Sequence, residues 1–145
     1  MEQTSPAVAH RNKVVVAWLA SLLGLFGAHW WYLGRQHAWL VTTFSVVMLL
    51  LAQFYPVWWD NVPFLLLLVP ISAGIIESLV FALTPDDKFD ARYNPYSGRE
   101  TQTGWDAVIA AIITTFIGGV VIIFGIAMVV VHVWTALGWL DDYIY

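Results

Sequence analysis

Glu77 and His29 are the two side chains whose type and setting could do chemistry. Glu77 lies inside an apolar run, about 10 Å of helix short of Thr84 at 1.5 Å per residue. An ionised carboxylate at the centre of a bilayer costs on the order of 3 kcal/mol, so Glu77 is expected to be protonated, paired or turned to a wet cavity. If the apolar segment ending near His29 and the one carrying Glu77 finish on the same side, imidazole and carboxylate fall at similar depth. A direct His29–Glu77 contact is therefore expected, and such a pair could hold or hand on a proton. The plainer alternative is that Glu77 reaches the interface or bonds a neighbouring serine, Ser72 or Ser78.

Other constellations carry less. His29 and His132 suggest haem ligation, but they are expected near opposite faces and cannot clamp one porphyrin. Asp86, Asp87 and Asp90 are of the type hard cations take, yet their spacing is not that of an EF-hand and a solvated acidic loop is the simpler account. His10 and His37 read as ordinary interfacial residues. There is no phosphate-binding glycine loop, no Ser-His-Asp arrangement and no zinc spacing. Cysteine is absent, which excludes disulfides and thiolate chemistry. No catalytic residue, cofactor or metal is expected, and the chain reads as non-enzymatic.

The elements that must position Glu77 and His29 are apolar. Of 145 residues, 60% are hydrophobic and 11% charged, with mean hydropathy +0.73; soluble domains carry about 25% charged residues. Ala107 to Leu140 holds no Asp, Glu, Lys or Arg, and His132 is its one ionisable side chain. About 20 apolar residues already span a bilayer. That run is therefore too long for one straight crossing and too short for two, so it must tilt or project against another surface. The net charge of −4 offers no basic face to nucleic acid.

Four apolar segments emerge, and the expected fold class is all-α: a polytopic integral membrane protein with about four transmembrane helices. A short polar head, 1–11, precedes a membrane domain, 12–94, with helices over about 14–33, 38–54 and 62–83. A polar loop, 95–104, leads to an additional helix, 105–138, and a short tail, 139–145. Pro85, Pro95, Ser97 and Gly98 keep the connection Thr84–Gly104 from forming one helix. Four crossings would put head and tail on one side. Arg11 and Lys13 precede a run of signal-peptide length, but a cut after Ala28 would set Phe26 where a small residue is needed, so a retained helix is expected.

Aromatic residues mark the same boundaries, since indole and phenol rings favour the headgroup level. Trp30, Trp31, Tyr32 and Trp39 flank the first connection, and Tyr55, Trp58 and Trp59 occupy the second. Tyr93, Tyr96 and Trp105 mark the third, and Trp134, Trp139, Tyr143 and Tyr145 the end; Trp18 alone lies inside a segment. Lys and Arg counts over the whole chain favour a cytoplasmic Thr84–Gly104 loop, whereas the flanks of the first helix favour a cytoplasmic head. The two criteria disagree. The location is integral membrane, multi-pass, and the cytoplasmic (inner) membrane if the source is bacterial.

Helices in lipid associate through small residues that let backbones approach. Ala20, Gly24 and Ala28 form such a row on the first helix. On the last, Ala107, Ala111, Thr115 and Gly119 form one, with Ala110, Thr114 and Gly118 beside it. Gly27 loosens the first helix near its end, and Gly34 can take the left-handed conformation that stops it.

The turn Gly27, Ala28, His29, Tyr32, Leu33, Gly34, with Gly24 before it and Lys13 at the head of the helix, resembles the two-transmembrane (TM-two) domain family. The family typically shows a basic residue, an apolar helix and a Gly-Ala-His-Arg-Phe-Tyr-Leu-Gly-like turn. Ile75–Leu79, with Glu77, is similar to its closing helix, and Asp86, Asp87, Asp90 and Asn94 to its acidic trailer. The resemblance covers roughly Asn12 to Asn94. Three departures stand out: Trp30 replaces the usual Arg, the stretch between turn and acid is long enough for an extra span, and the last helix lies outside the family domain. The resemblance implies a small helical membrane module and supplies no reaction.

The expected partners are the lipid bilayer and other membrane subunits or further copies of the chain. The leading expectation is an accessory or interaction subunit of a larger membrane assembly. The alternative is an oligomeric ion- or proton-handling protein using Glu77 and His29. A lipid-acting membrane enzyme comes third, lacking a nucleophile or metal set.

Overall fold

The structure, a computed structural model, describes residues 8–144. Those residues form helices, turns and loops, with no strand. In chain order come α1 (Lys13–Leu23), a 3-10 turn (Gly24–Phe26), α2 (Ala28–Leu33), α3 (Ala38–Ala52), α4 (Val62–Leu66), α5 (Leu68–Leu83), α6 (Asp86–Tyr93), α7 (Trp105–Ala136) and α8 (Asp141–Ile144). Two stretches are long and apolar enough to cross a membrane: Val62–Leu83, 22 residues, and Trp105–Ala136, 32 residues. The first is α4 and α5 nearly in line. Pro70 has no N–H to offer the Leu66 carbonyl, and the ladder breaks at Leu67 between them.

The expected unbroken helix over 14–33 is instead a hairpin. Asn12 caps α1, its Oδ1 accepting from Val14 N at 2.9 Å and Val15 N at 3.2 Å. From there α1 runs antiparallel to α5. Lys13 Nζ donates to the Thr84 carbonyl at 2.7 Å, Ser78 Oγ to the Ala17 carbonyl at 2.7 Å, and Gly24 abuts Gly74. After 11 residues, about 16 Å, the helix stops halfway along α5. Gly27 adopts φ 69°, which turns the chain back. Then α2 climbs beside Glu77 until the Tyr32 hydroxyl accepts from Asn12 N at 3.0 Å. Both ends of this segment therefore lie at the α6 end of the bundle. Four end-to-end passages are not what the chain makes: α3, α4–α5 and α7 run the length, and the first segment goes in and comes out. The head lies at the α6 end, whereas the tail follows α7 to the opposite end, where His132 Nδ1 meets Asp60 Oδ1 at 2.8 Å. Head and tail do not share a side.

Such a turn exposes backbone carbonyls inside an apolar bundle, where an unpaired one is expensive. Two hydroxyls on α3 reach them. Thr42 Oγ1 donates to the Phe26 carbonyl at 2.7 Å, and Ser45 Oγ, fully buried, donates to the Leu25 carbonyl. The Trp31 indole closes the set by donating to Thr42 Oγ1 at 2.8 Å.

Close backbone approach fixes the crossings. A Cβ on Gly74 would stand 2.6 Å from the Ala20 carbonyl oxygen and 2.7 Å from Gly24 Cα. On α7 the interface follows Ala107, Ala110, Ala111, Thr114, Gly118 and Gly125. Of the expected rows, Ala111 and Gly118 pack, while Thr115 is exposed and Gly119 has nothing within 4 Å of its would-be Cβ. A row at four-residue spacing drifts about 40° per step around a helix of 3.6 residues per turn. By Gly119 it has left the interface that steps of three and four retain. Ala20 and Gly24 are buried on the first-segment side, and Ala28 is half-buried.

The expected non-helical polar connection contains α6. Asp86 and Asp87 occupy its first turn and Arg92 its last, as the helix dipole favours. Phe89, fully buried, and Tyr93 plug α6 onto the bundle against Phe81 of α5, with ring centroids 6.4 and 5.9 Å away.

Candidate functional site

Glu77 is the hub of a concentrated polar contact. Its Oε2 accepts from His29 Nε2 at 3.0 Å, Arg35 Nη1 at 3.0 Å and Trp30 Nε1 at 3.1 Å, and its Oε1 lies 3.2 Å from the same indole nitrogen. All three donors come from α2 and the turn after it, so the carboxylate ties the returning arm of the hairpin to α5. The sequence reading named His29 as the partner; it missed Trp30 and Arg35. The signal for Arg35 was present, as a basic residue one position past a helix-stopping glycine.

Gly34 sets that cation. It adopts φ 70°, its N–H bonding the Trp31 carbonyl at 3.1 Å, while Arg35 N bonds the Trp30 carbonyl at 3.0 Å. These are the paired bonds of a Schellman cap, and they fold residue 35 back over the helix end. The guanidinium then lies 4.9 Å from the Trp30 ring centroid and 5.9 Å from that of Phe81, and its Nη2 donates to the Tyr93 hydroxyl at 3.3 Å. Arg35 and Glu77 cancel each other's charge.

His29 is 2% exposed, its ring edge-on to Trp30 and Phe81. Its Nε2 faces the carboxylate, and its buried Nδ1 has no partner among the described residues.

A cleft of about 340 Å³ opens between α3 and α5 beside this cluster. Leu40, Val41, Phe44, Val69 and Pro70 give it apolar walls, and His29, Trp30 and Glu77 close its end. Glu77 keeps 26% of its side chain exposed. Its serine neighbours play other parts: Ser78 bonds α1 and lies 3.2 Å from Thr114 Oγ1 on α7, and Ser72 lines a separate apolar cleft between α5 and α7.

The acidic trailer is structural rather than a solvated loop. Lys13, 3% exposed, reaches Asp86 Oδ1 at 2.5 Å. Asp86 also accepts from Thr103 Oγ1 at 2.6 Å and Thr103 N at 2.8 Å. Burial alone would raise the Asp86 carboxyl, but the Lys13 and Thr103 hydrogen bonds outweigh it and hold the group below the ordinary aspartate value. Asp90 behaves alike: burial opposes and is overcome by bonds from Asn94 and from the Thr101 backbone and hydroxyl. Asn94 in turn grips the head, accepting from Arg11 N at 2.8 Å and donating to the Arg11 carbonyl at 3.0 Å. His10 lies 2.9 Å from Ser97 Oγ and 3.1 Å from Thr101 Oγ1. Among the described residues no group of three or more His, Cys, Asp or Glu side chains converges as a metal site. His29 and His132 sit far apart along the bundle, His29 bonded to Glu77 midway along α5 and His132 to Asp60 ahead of α4.

No family model, no curated protein and no solved structure matches this chain.

Proposed function

We propose that the chain is a non-enzymatic membrane protein that crosses the bilayer three times, through α3, α4–α5 and α7, with α1 and α2 as a re-entrant hairpin. Its role is that of an accessory subunit that docks on a partner within a membrane assembly. The observation that carries the subunit reading is α7. Its 32 residues extend about 48 Å, against a hydrocarbon slab of about 30 Å. Only the seam from Ala107 to Gly125 is buried, while Phe116, Ile123, Phe124 and Val131 stay exposed. An apolar face of that extent needs lipid or protein cover.

Charge placement supports the orientation. All six Lys and Arg residues, Arg11, Lys13, Arg35, Lys88, Arg92 and Arg99, belong to the α6 end, whereas the opposite end carries Asp60 and Asp141. With the head moved to that end, the disagreement between the two charge criteria disappears, and the positive-inside rule makes the α6 end cytoplasmic. The proposal retains the likeness of residues 12–94 to the TM-two family. The proton-handling alternative draws on the His29–Glu77 contact, but the Arg35 ion pair counterbalances the carboxylate, which favours the subunit reading.

The absence of cysteine makes the test direct. Single cysteines at Ala9, Val57 and Gly98 are probed with an impermeant maleimide on sealed vesicles of both orientations. Ala9→Cys and Gly98→Cys should label from the cytoplasmic side and Val57→Cys from the other; Ala9 and Val57 labelling together would restore four crossings and overturn this topology. A photocrosslinking residue in place of Phe124 should give one defined adduct in native membranes, and a smear or no adduct would overturn the subunit role.

A further inference from the structure

The head of the chain is fastened to the α6–α7 connection through His10, and the hydroxyls it meets fix which ring nitrogen carries a proton. Burial raises the Asp90 carboxyl, but the bonds from Asn94 and Thr101 outweigh it, so Asp90 is ionised and only accepts. The Thr101 hydroxyl bonds Asp90 Oδ1, and its single proton points there. His10 Nε2, 3.1 Å from the same Thr101 oxygen, must then donate to it. Nε2 therefore keeps its hydrogen in the neutral and in the charged ring, and Nδ1 is the nitrogen that gains or loses a proton. Nδ1 lies 2.9 Å from Ser97 Oγ. That hydroxyl has one proton and a second acceptor in reach, the Arg99 carbonyl at 3.2 Å.

The two ring states arrange these groups differently. With the ring neutral, Ser97 donates either to Nδ1 or to the Arg99 carbonyl, and the other acceptor goes without. With the ring charged, Nδ1–H donates to Ser97 Oγ, the Ser97 proton turns to the Arg99 carbonyl, and both contacts are made at once. The added proton thus completes a bond that the neutral ring cannot make. It also sets a positive charge among carboxylates. Asp90 of α6 stands behind Thr101, and Glu100 of the connection and Asp106 of α7 line the same small cleft as His10. Asp87 of α6 shares a second cleft with Asp90 and Glu100. Of the cations at this end, Arg11 is turned to the Tyr32 and Tyr93 carbonyls, Lys13 is bound to Asp86, and Arg99 is exposed. We propose that His10 is a proton-operated clasp: a proton on Nδ1 tightens the head of the chain onto the 95–104 connection, and its loss slackens it. The clasp lies outside the spanning helices and does not depend on the subunit reading.

The test uses the full chain in nanodiscs, its histidines labelled with 15N and followed by NMR between about pH 5 and 8, the interval in which histidine side chains change charge. His10→Gln identifies the His10 signals and puts a side chain that does not titrate in the clasp. Nε2 of His10 should stay protonated throughout, and Nδ1 alone should titrate. The Arg11 and Thr101 amides donate to Asn94 and Asp90 and report on the hold of the head. Their exchange protection, corrected for intrinsic rates, should fall about tenfold on passing from the charged to the neutral ring. In His10→Gln that difference should vanish. A neutral ring protonated at Nδ1, protection that stays constant in the wild type, or the same change persisting in His10→Gln would overturn the clasp. Should the variant fail to fold, the nitrogen titration and the exchange of the wild-type protein, assigned through its backbone, decide by themselves.

Discussion

Adding one methyl group to Gly74 should destabilise the bundle far more than adding one to Gly119. The new Cβ at position 74 would stand 2.6 Å from the Ala20 carbonyl oxygen and 2.7 Å from Gly24 Cα. Both neighbours are backbone, so no side chain can swing aside. Comfortable contact between heavy atoms begins near 3.5 Å, so α1 and α5 must part by about 1 Å. Overpacking of this kind costs about 1–3 kcal/mol. The displacement also stretches the buried Ser78–Ala17 bond, now 2.7 Å, at a further cost of about 1 kcal/mol. Together Gly74→Ala should lose about 2–4 kcal/mol. Gly119→Ala, with open space around it, should change stability by no more than about 0.5–1 kcal/mol, in the stabilising direction that helix propensity gives alanine. Unfolding of both variants in mixed micelles, followed by circular dichroism, measures the difference. Equal stability of the two would refute the backbone contact between α1 and α5, and with it the placement of the hairpin.

Two further outcomes follow from the same contacts. Ser45→Ala and Thr42→Val each remove a hydroxyl donor from a turn carbonyl and should each lose about 1–3 kcal/mol, whereas exposed Thr43→Ala should be neutral; three equal midpoints in the same unfolding assay would contradict the re-entrant turn. Asp86 has its carboxyl lowered in the folded state, so its contribution is present above the unfolded aspartate value, near 3.9, and is lost as pH falls through the lower folded value. Melting temperature measured against pH should therefore drop on acidification below about pH 4, and Asp86→Asn should flatten that limb; an unaltered limb in the variant would remove Asp86 as its source.

The helical character, the segment boundaries within a few residues and the meeting of His29 with Glu77 were legible because hydropathy, interfacial aromatics and the cost of a buried charge are local properties. The hairpin was not. An apolar run of 20 residues has the length of a crossing, and nothing in hydropathy distinguishes it from one that turns at Gly24–Gly27. What sets the turn lies on other elements: Thr42 and Ser45 on α3, whose hydroxyls take up the turn carbonyls, and the small row Gly74, Ser78, Ala82 on α5, against which α1 lies close. The helix over Asp86–Tyr93 was hidden by reading prolines only as breakers, although Pro85 followed by two aspartates is how a helix begins. His29 and Glu77 meet through the return of α2, and not through a full crossing of the first segment.

The hairpin and the buried carboxylate explain each other. A six-residue helix such as α2 has too few backbone bonds to persist unaided. Its hold on the bundle comes from Glu77, Thr42 and Tyr32, through groups carried on α2 and the turns at either end. Conversely, a carboxylate on an otherwise apolar α5 needs donors and a counter-charge delivered to its own depth, and here the returning arm of the hairpin delivers them. Tryptophan at position 30 contributes an N–H and no charge, so neutralisation has to come from another residue. Arg35 reaches the carboxylate because Gly34, in the left-handed conformation, folds it back over the indole. A Gly34 variant that cannot adopt that conformation would leave Glu77 with two donors and no cation. The glycine that ends α2 is therefore also the residue that allows an acid in α5.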